Sequence, residues 1–139
     1  MLHRRQPLIY NMQSSLIAKS ERQEEVWTSE RCYIREILNS PKEPQVSLAI
    51  CRIEPGMTTQ LHCLAVAEWY VITTGEGLME VDGGPGFTVE AGDSVAIPVG
   101  ISQRITNTGS QDLLFECICL PRFYPECYQS LESENISTI

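Results

Sequence analysis

Residues 56–77 read GMTTQLHCLAVAEWYVITTGEG, with Gly56, His62, Glu68 and Gly75 spaced along two runs of β-type residues. His62 is the only histidine outside the first few residues, since the other is His3. A histidine and a glutamate on neighbouring strands suggest a polar site inside a sheet protein. Strand side chains alternate between faces, so His62 shares a face with Leu64, and Glu68 with Tyr70 and Ile72. Cys63 points the other way.

The same chemistry continues on both sides. Strand-like runs recur as RCYIREIL, QVSLAICRI, TTQLHCL, EWYVITT, GLMEV, FTVE, SVAIPV, SQRIT and LLFECICL, many bounded by Pro, Gly, Asn or Asp. Short strands at this spacing predict an all-β sandwich or barrel. VDGGPGF reads as a hairpin tip, and Pro98 belongs at a strand end, where its missing N–H costs nothing. Two short helical turns are expected outside the strands, one in SERQEEVW and one in YPECYQSLES. Gln103, Ile105 and Asn107 form another same-face set, as do Phe115, Cys117 and Cys119. Where such sets face an interior, a buried His, Glu and Gln each need a partner, because an unsatisfied polar group costs roughly 1–3 kcal/mol.

At 139 residues, with 42% apolar residues, the chain is expected to form one domain, 1–139, with its core at about 45–120. Residues 1–40 are read as an N-terminal arm with strands and 121–139 as a C-terminal extension. Leu8, Ile9, Tyr10, Trp27, Phe123, Tyr124 and Tyr128 make these segments too apolar for free tails, so they should wrap the barrel or a neighbour. Ten basic against 18 acidic residues, a net charge of −8, argue against a nucleic-acid surface. No apolar run approaches the roughly 20 residues that span a bilayer. No membrane partner is expected, and a cytoplasmic location is. The six cysteines follow no framework spacing and include no CxxC, so reduced thiols are the default.

Together these residues resemble the cupin superfamily. Its first motif, G-x5-H-x-H-x3or4-E-x6-G, is matched by Gly56, His62, Glu68 and Gly75 and departs at Leu64. Its second, G-x5-P-x-G-x2-H-x3-N, is matched by Gly92, Pro98, Gly100 and Asn107 and departs at Gln103. Eight of ten positions agree in register. The resemblance, which covers about 45–120, implies a double-stranded antiparallel β-helix, or jelly-roll barrel, and is closest to small one-domain bacterial cupins. The AEWYVITTGEG and IPVGISQRITNTG segments also look like the cupin half of sugar-phosphate isomerases. Small cupins commonly pair through strands and arms, so the resemblance implies a homodimer.

A full cupin site holds a divalent metal by three imidazoles and a carboxylate. Here Leu64 donates nothing and Gln103 offers only an amide oxygen, so His62, Glu68 and Gln103 form a weak, incomplete set for one divalent ion. Without a metal, Glu68 in an apolar barrel works as a general acid or base with His62 as partner, which makes these two the candidate catalytic residues. Gln103 binds ligand, orients His62 or fills space. Tyr70 lines the cavity as a ligand contact or packs in the core. Arg104, on the opposite parity, is read as a solvent or interface charge. Cys117 and Cys119 share a strand face and behave as small buried apolar residues unless they reach the interior.

Two functions compete: isomerisation or epimerisation of a small, polar, sugar-type metabolite, and non-catalytic binding of a small molecule by a sensor or accessory protein that has lost its metal. A bare dimer scaffold would explain the arms but not the polar residues within.

Overall fold

The computed structural model describes residues 16–17 and 23–132. Leu8, Ile9 and Tyr10 of the expected arm lie outside the described residues. The chain forms β1 (Glu25–Trp27), β2 (Tyr33–Leu38), β3 (Ser47–Ile53), β4 (His62–Leu64), β5 (Ala67–Thr74), β6 (Glu76–Val81), β7 (Phe87–Glu90), β8 (Ser94–Ile97), β9 (Gln103–Asn107), β10 (Leu113–Leu120) and β11 (Tyr128–Ser130). They assemble into two antiparallel sheets, ordered β1-β2-β3-β10-β5-β8 and β11-β4-β9-β6-β7.

The polar/apolar alternation positions the core. Glu68, Tyr70 and Ile72 of β5 are buried, as are Gln103, Ile105 and Asn107 of β9 and Phe115, Cys117 and Cys119 of β10. Leu113, Phe115, Ile53, Ile72, Met79 and Ile105 are almost wholly buried, each contributing roughly 1.5–3 kcal/mol of hydrophobic stabilisation. Leu64, at the position of the absent ligand, is 3% exposed and packs with Val66, Cys119 and Cys127. On the outer face Arg104 meets Glu80 directly across the β9–β6 pair, with Nε donating to Oε2 at 2.7 Å.

Of the two short helical expectations the first is corrected and the second is met only by a single turn. Glu25–Trp27, in the first, is a strand paired with β2 because its β-branched and aromatic residues complete a sheet edge. The second contains only a 3₁₀ turn at Pro125–Cys127, after which Tyr128–Ser130 pairs with β4. Proline opens that turn, the Cys127 and Tyr128 N–H groups close it on the Tyr124 and Pro125 carbonyls, and the chain then pairs with β4, so strand pairing wins over a longer helix. Phe123 and Tyr128 pack on the barrel, as the apolar character of the extension required. Pro98 follows β8 immediately, and residues 82–86 form the β6–β7 hairpin tip.

Candidate functional site

A cavity of about 420 Å³ opens between the two sheets. Its walls come from both. Small inward residues on β3 and β10, among them Ser47, Ala49, Cys51, Cys117 and Cys119, leave the space that Leu or Ile would fill, and Tyr70 stacked on Phe115 forms part of its lining, with ring centroids 4.3 Å apart.

Glu68 projects inward from β5 and is 6% exposed. Its Oε1 accepts a hydrogen bond from Gln103 Nε2 at 2.8 Å, and its Oε2 accepts one from the Cys119 thiol at 3.7 Å. Burial pushes its carboxyl from 4.5 up to about 7, against the hydrogen bonds from Gln103, Cys119 and Cys117. Gln103 is 0% exposed, and its Oε1 has no hydrogen-bond partner.

His62 sits opposite Gln103 in the β4–β9 pair. Its Nδ1 lies 2.7 Å from the Gln60 carbonyl, which can only accept, so Nδ1 carries the proton. Desolvation lowers the pKa of His62, so the ring is neutral and Nε2 presents a lone pair. That lone pair faces Glu30, with Nε2 and Oε1 3.7 Å apart. The imidazole is held flat by stacking on Tyr128, with centroids 4.7 Å apart and planes 17° apart, while Tyr128 donates to Gln60 Oε1 at 2.5 Å.

Sequence reasoning missed Glu30 and Tyr128. Glu30 belongs to the turn between β1 and β2, shaped by a bond from its N–H to the Thr28 hydroxyl and by Arg31 at φ 66°. Its own carbonyl accepts from the Gln60 N–H at 3.1 Å, which docks the turn beside His62. Its side chain is 21% exposed, and burial first, then the charge of Glu68, raises its carboxyl to about 7. No spacing rule marks a glutamate in such a turn. Tyr128 arrives because β11 returns to β4.

The structure thus joins Glu68 to Gln103 and His62 to Glu30, and places Tyr70 on the cavity wall. As a set these residues do not fit a metal ion. Gln103 turns its N–H, not its oxygen, to Glu68, and among the described residues no group of three His, Cys, Asp or Glu side chains is placed to hold a cation.

The cysteines are free, and Cys51 and Cys117 have their sulfurs 3.3 Å apart. Cys32 and Cys51 are pushed up, each by bonding to the next thiol along the row and by burial, and Cys119 by burial and by Glu68. Buried, protonated thiols are poor nucleophiles. In the native protein a thiol reagent at pH 8 should react quickly with Cys63 alone, because the other five of the six are buried; unfolding should release those five. Rapid native reaction of more than one thiol would contradict this packing.

Residues 49–119 match the Cupin domain family. An uncharacterized protein of Methanocaldococcus jannaschii is 34% identical over 108 residues, 76% of this chain and 86% of that protein. The chain belongs to the cupin family. Among solved structures, this cupin is similar to a conserved protein with a double-stranded β-helix domain from Klebsiella pneumoniae, with TM-score 0.66, 15% identity and coverage of 76% of this chain and 89% of that one. It is also similar to a predicted oxalate decarboxylase from Thermotoga maritima, with TM-score 0.65, 25% identity and coverage of 76% and 98%. Both likenesses support the double-stranded β-helix architecture. No helix among the described residues is long and apolar enough to cross a membrane.

Proposed function

We propose that this cupin takes a small molecule into the barrel cavity and moves a proton on it, in chemistry of the isomerase or epimerase type. The observation that carries the reading is that Glu30, its carboxyl 3.7 Å from His62 Nε2, His62 itself and Glu68, held from behind by Gln103, line one cavity. Two carboxyls near neutrality and a neutral imidazole are suited to giving and taking protons at physiological pH. In this reading Glu68 is one acid or base, Glu30 and His62 form the second, Gln103 fixes the Glu68 carboxyl, and Tyr70 and Tyr128 position the ligand.

Sugar phosphates and oxalate are poorer candidates for the ligand. Among the described residues no Lys or Arg lines the cavity to receive an anion, whereas Glu24, Glu30, Glu36 and Glu68 do line it. A homodimer and a cytoplasmic location remain our proposals. Val26 and Trp27, 51% and 48% exposed on edge strand β1, support the first, and molecular mass in solution tests it. Six free thiols support the second.

The functional test is a metabolite screen by thermal shift, followed by NMR of each stabilising compound in D₂O. A substrate should exchange a carbon-bound hydrogen with solvent or isomerise, and Glu68→Gln should abolish that exchange even at ligand concentrations high enough to stabilise the variant. Stabilisation without exchange by the wild-type protein would replace the enzyme with a binding protein.

A further inference from the structure

The hydrogen-bonding groups around the cavity are unevenly supplied. His62 Nε2 offers a lone pair, since Nδ1 carries the proton. The Glu30 carboxyl has His62 Nε2 opposite it at 3.7 Å, too far for a hydrogen bond. Both groups line the cavity. Acceptors facing a largely enclosed space are best matched by donors, so they suit a donor-rich guest.

The electrostatics select the same guest. Glu30 and Glu68 face the space, and no Lys or Arg among the described residues that line it offsets them. Arg31, next to Glu30 in the chain, is committed to Glu132 through paired contacts of 3.1 and 2.6 Å. The remaining lining is apolar or aromatic: Tyr70 on Phe115, Tyr128 on His62, and aliphatic residues such as Ile34 and Leu48. Aromatic faces attract cations, and apolar walls accept a hydrocarbon body.

We infer that the ligand of this cavity is a cationic amine carrying an apolar body, its ammonium group donating to Glu30, Glu68 and the acceptors beside them. This deepens the small-molecule reading of the same cavity and rests on it. An ammonium brings up to three donors and the missing positive charge in one group. A neutral alcohol brings one donor and no charge, and a carboxylate brings further acceptors to a site that already has too many.

Three probes of nearly the same shape separate these cases: 2-phenylethylamine, 2-phenylethanol and phenylacetate, measured by isothermal titration calorimetry on the full chain at neutral pH. The amine should bind roughly tenfold or more tighter than the alcohol, with phenylacetate weakest, as expected for a charge-assisted hydrogen bond in a site of low polarity. Glu30→Gln and Glu68→Gln should each reduce the ratio of amine to alcohol affinity by roughly tenfold, with folding checked by circular dichroism. Equal or tighter binding of the alcohol or the acid by the wild-type protein would overturn the amine inference and leave a small-molecule site standing. Failure of all three to bind at millimolar concentration would overturn both.

Discussion

Stability against urea is expected to fall as pH rises from 5 to 8, the reverse of a protein held together mainly by ionised carboxylates. Glu68 has a folded-state pKa of about 7 against an ordinary 4.5, because burial disfavours its charge. Between those values the folded chain holds a proton that the unfolded chain has released. The stability contributed by the protonated carboxyl is therefore fully present below 4.5 and is lost as pH rises through 7. For Glu68 alone the loss is about 3 kcal/mol. Glu30 is raised to about 7 as well and acts in the same direction, although coupling between the two carboxyls prevents simple addition.

His62 opposes this trend. Its lowered pKa means that acid charges the unfolded ring before the folded one, which costs stability as pH falls through 6.5. The net slope is nevertheless expected to be negative, because two buried carboxyls act against one imidazole. Glu25, Glu80 and Glu132 have lowered values from their arginine partners, and they add stability above the carboxylate range that is lost in stronger acid. Their exposure to solvent keeps that contribution small. Urea midpoints at pH 5, 6, 7 and 8 provide the measurement, with Glu68→Gln as the comparison. The variant should be less sensitive to pH and more stable than wild type at pH 8. A wild-type midpoint that climbs across this range would mean that the carboxyls are solvated or paired with cations.

The second large effect belongs to Asn107, the last residue of the second cupin motif. Its Nδ2 donates to the Ile53 and Gln111 carbonyls, both at 2.8 Å, and its Oδ1 accepts from the Gly109 N–H at 2.9 Å. At 1% exposure no water replaces these bonds directly. Asn107→Ala strands a buried carbonyl of β3 and undoes the loop into β10, so it should cost about 3 kcal/mol in urea denaturation, with little change in the slope of the transition. Asn107→Asp should be no better at neutral pH, since a carboxylate cannot donate to two carbonyls. A loss under about 1 kcal/mol for the alanine variant would show that the loop is held by other contacts.

The core of the fold was legible because its information is local. Alternation at Glu68–Ile72, Gln103–Asn107 and Phe115–Cys119 depends only on the two-residue period of a strand, and the motif glycines and Pro98 mark turns whose backbone requirements are visible in single residues. Gly75, for example, adopts φ +90°, and a Cβ there would lie 2.9 Å from the Asp112 carbonyl oxygen. The site was only half legible. His62, Glu68 and Gln103 could be placed by register, but the partner of each was decided by tertiary contact. Glu30 reaches His62 only because a five-residue turn docks on Gln60, and Cys51 meets Cys117 only because β3 and β10, 66 residues apart in sequence, lie side by side. Edge strands β1 and β11 are three residues each, too short to show a period.

Glu30 and Tyr128 both lie outside residues 49–119, the stretch that carries the barrel. Two of the groups that give the cavity its chemistry are therefore supplied from outside that stretch, while His62, Glu68 and Tyr70 are supplied from within it. Substitutions in the flanking segments can retune what enters the barrel while residues 49–119 stay unchanged. The specificity of the protein can therefore be altered from its flanks as well as from the barrel itself.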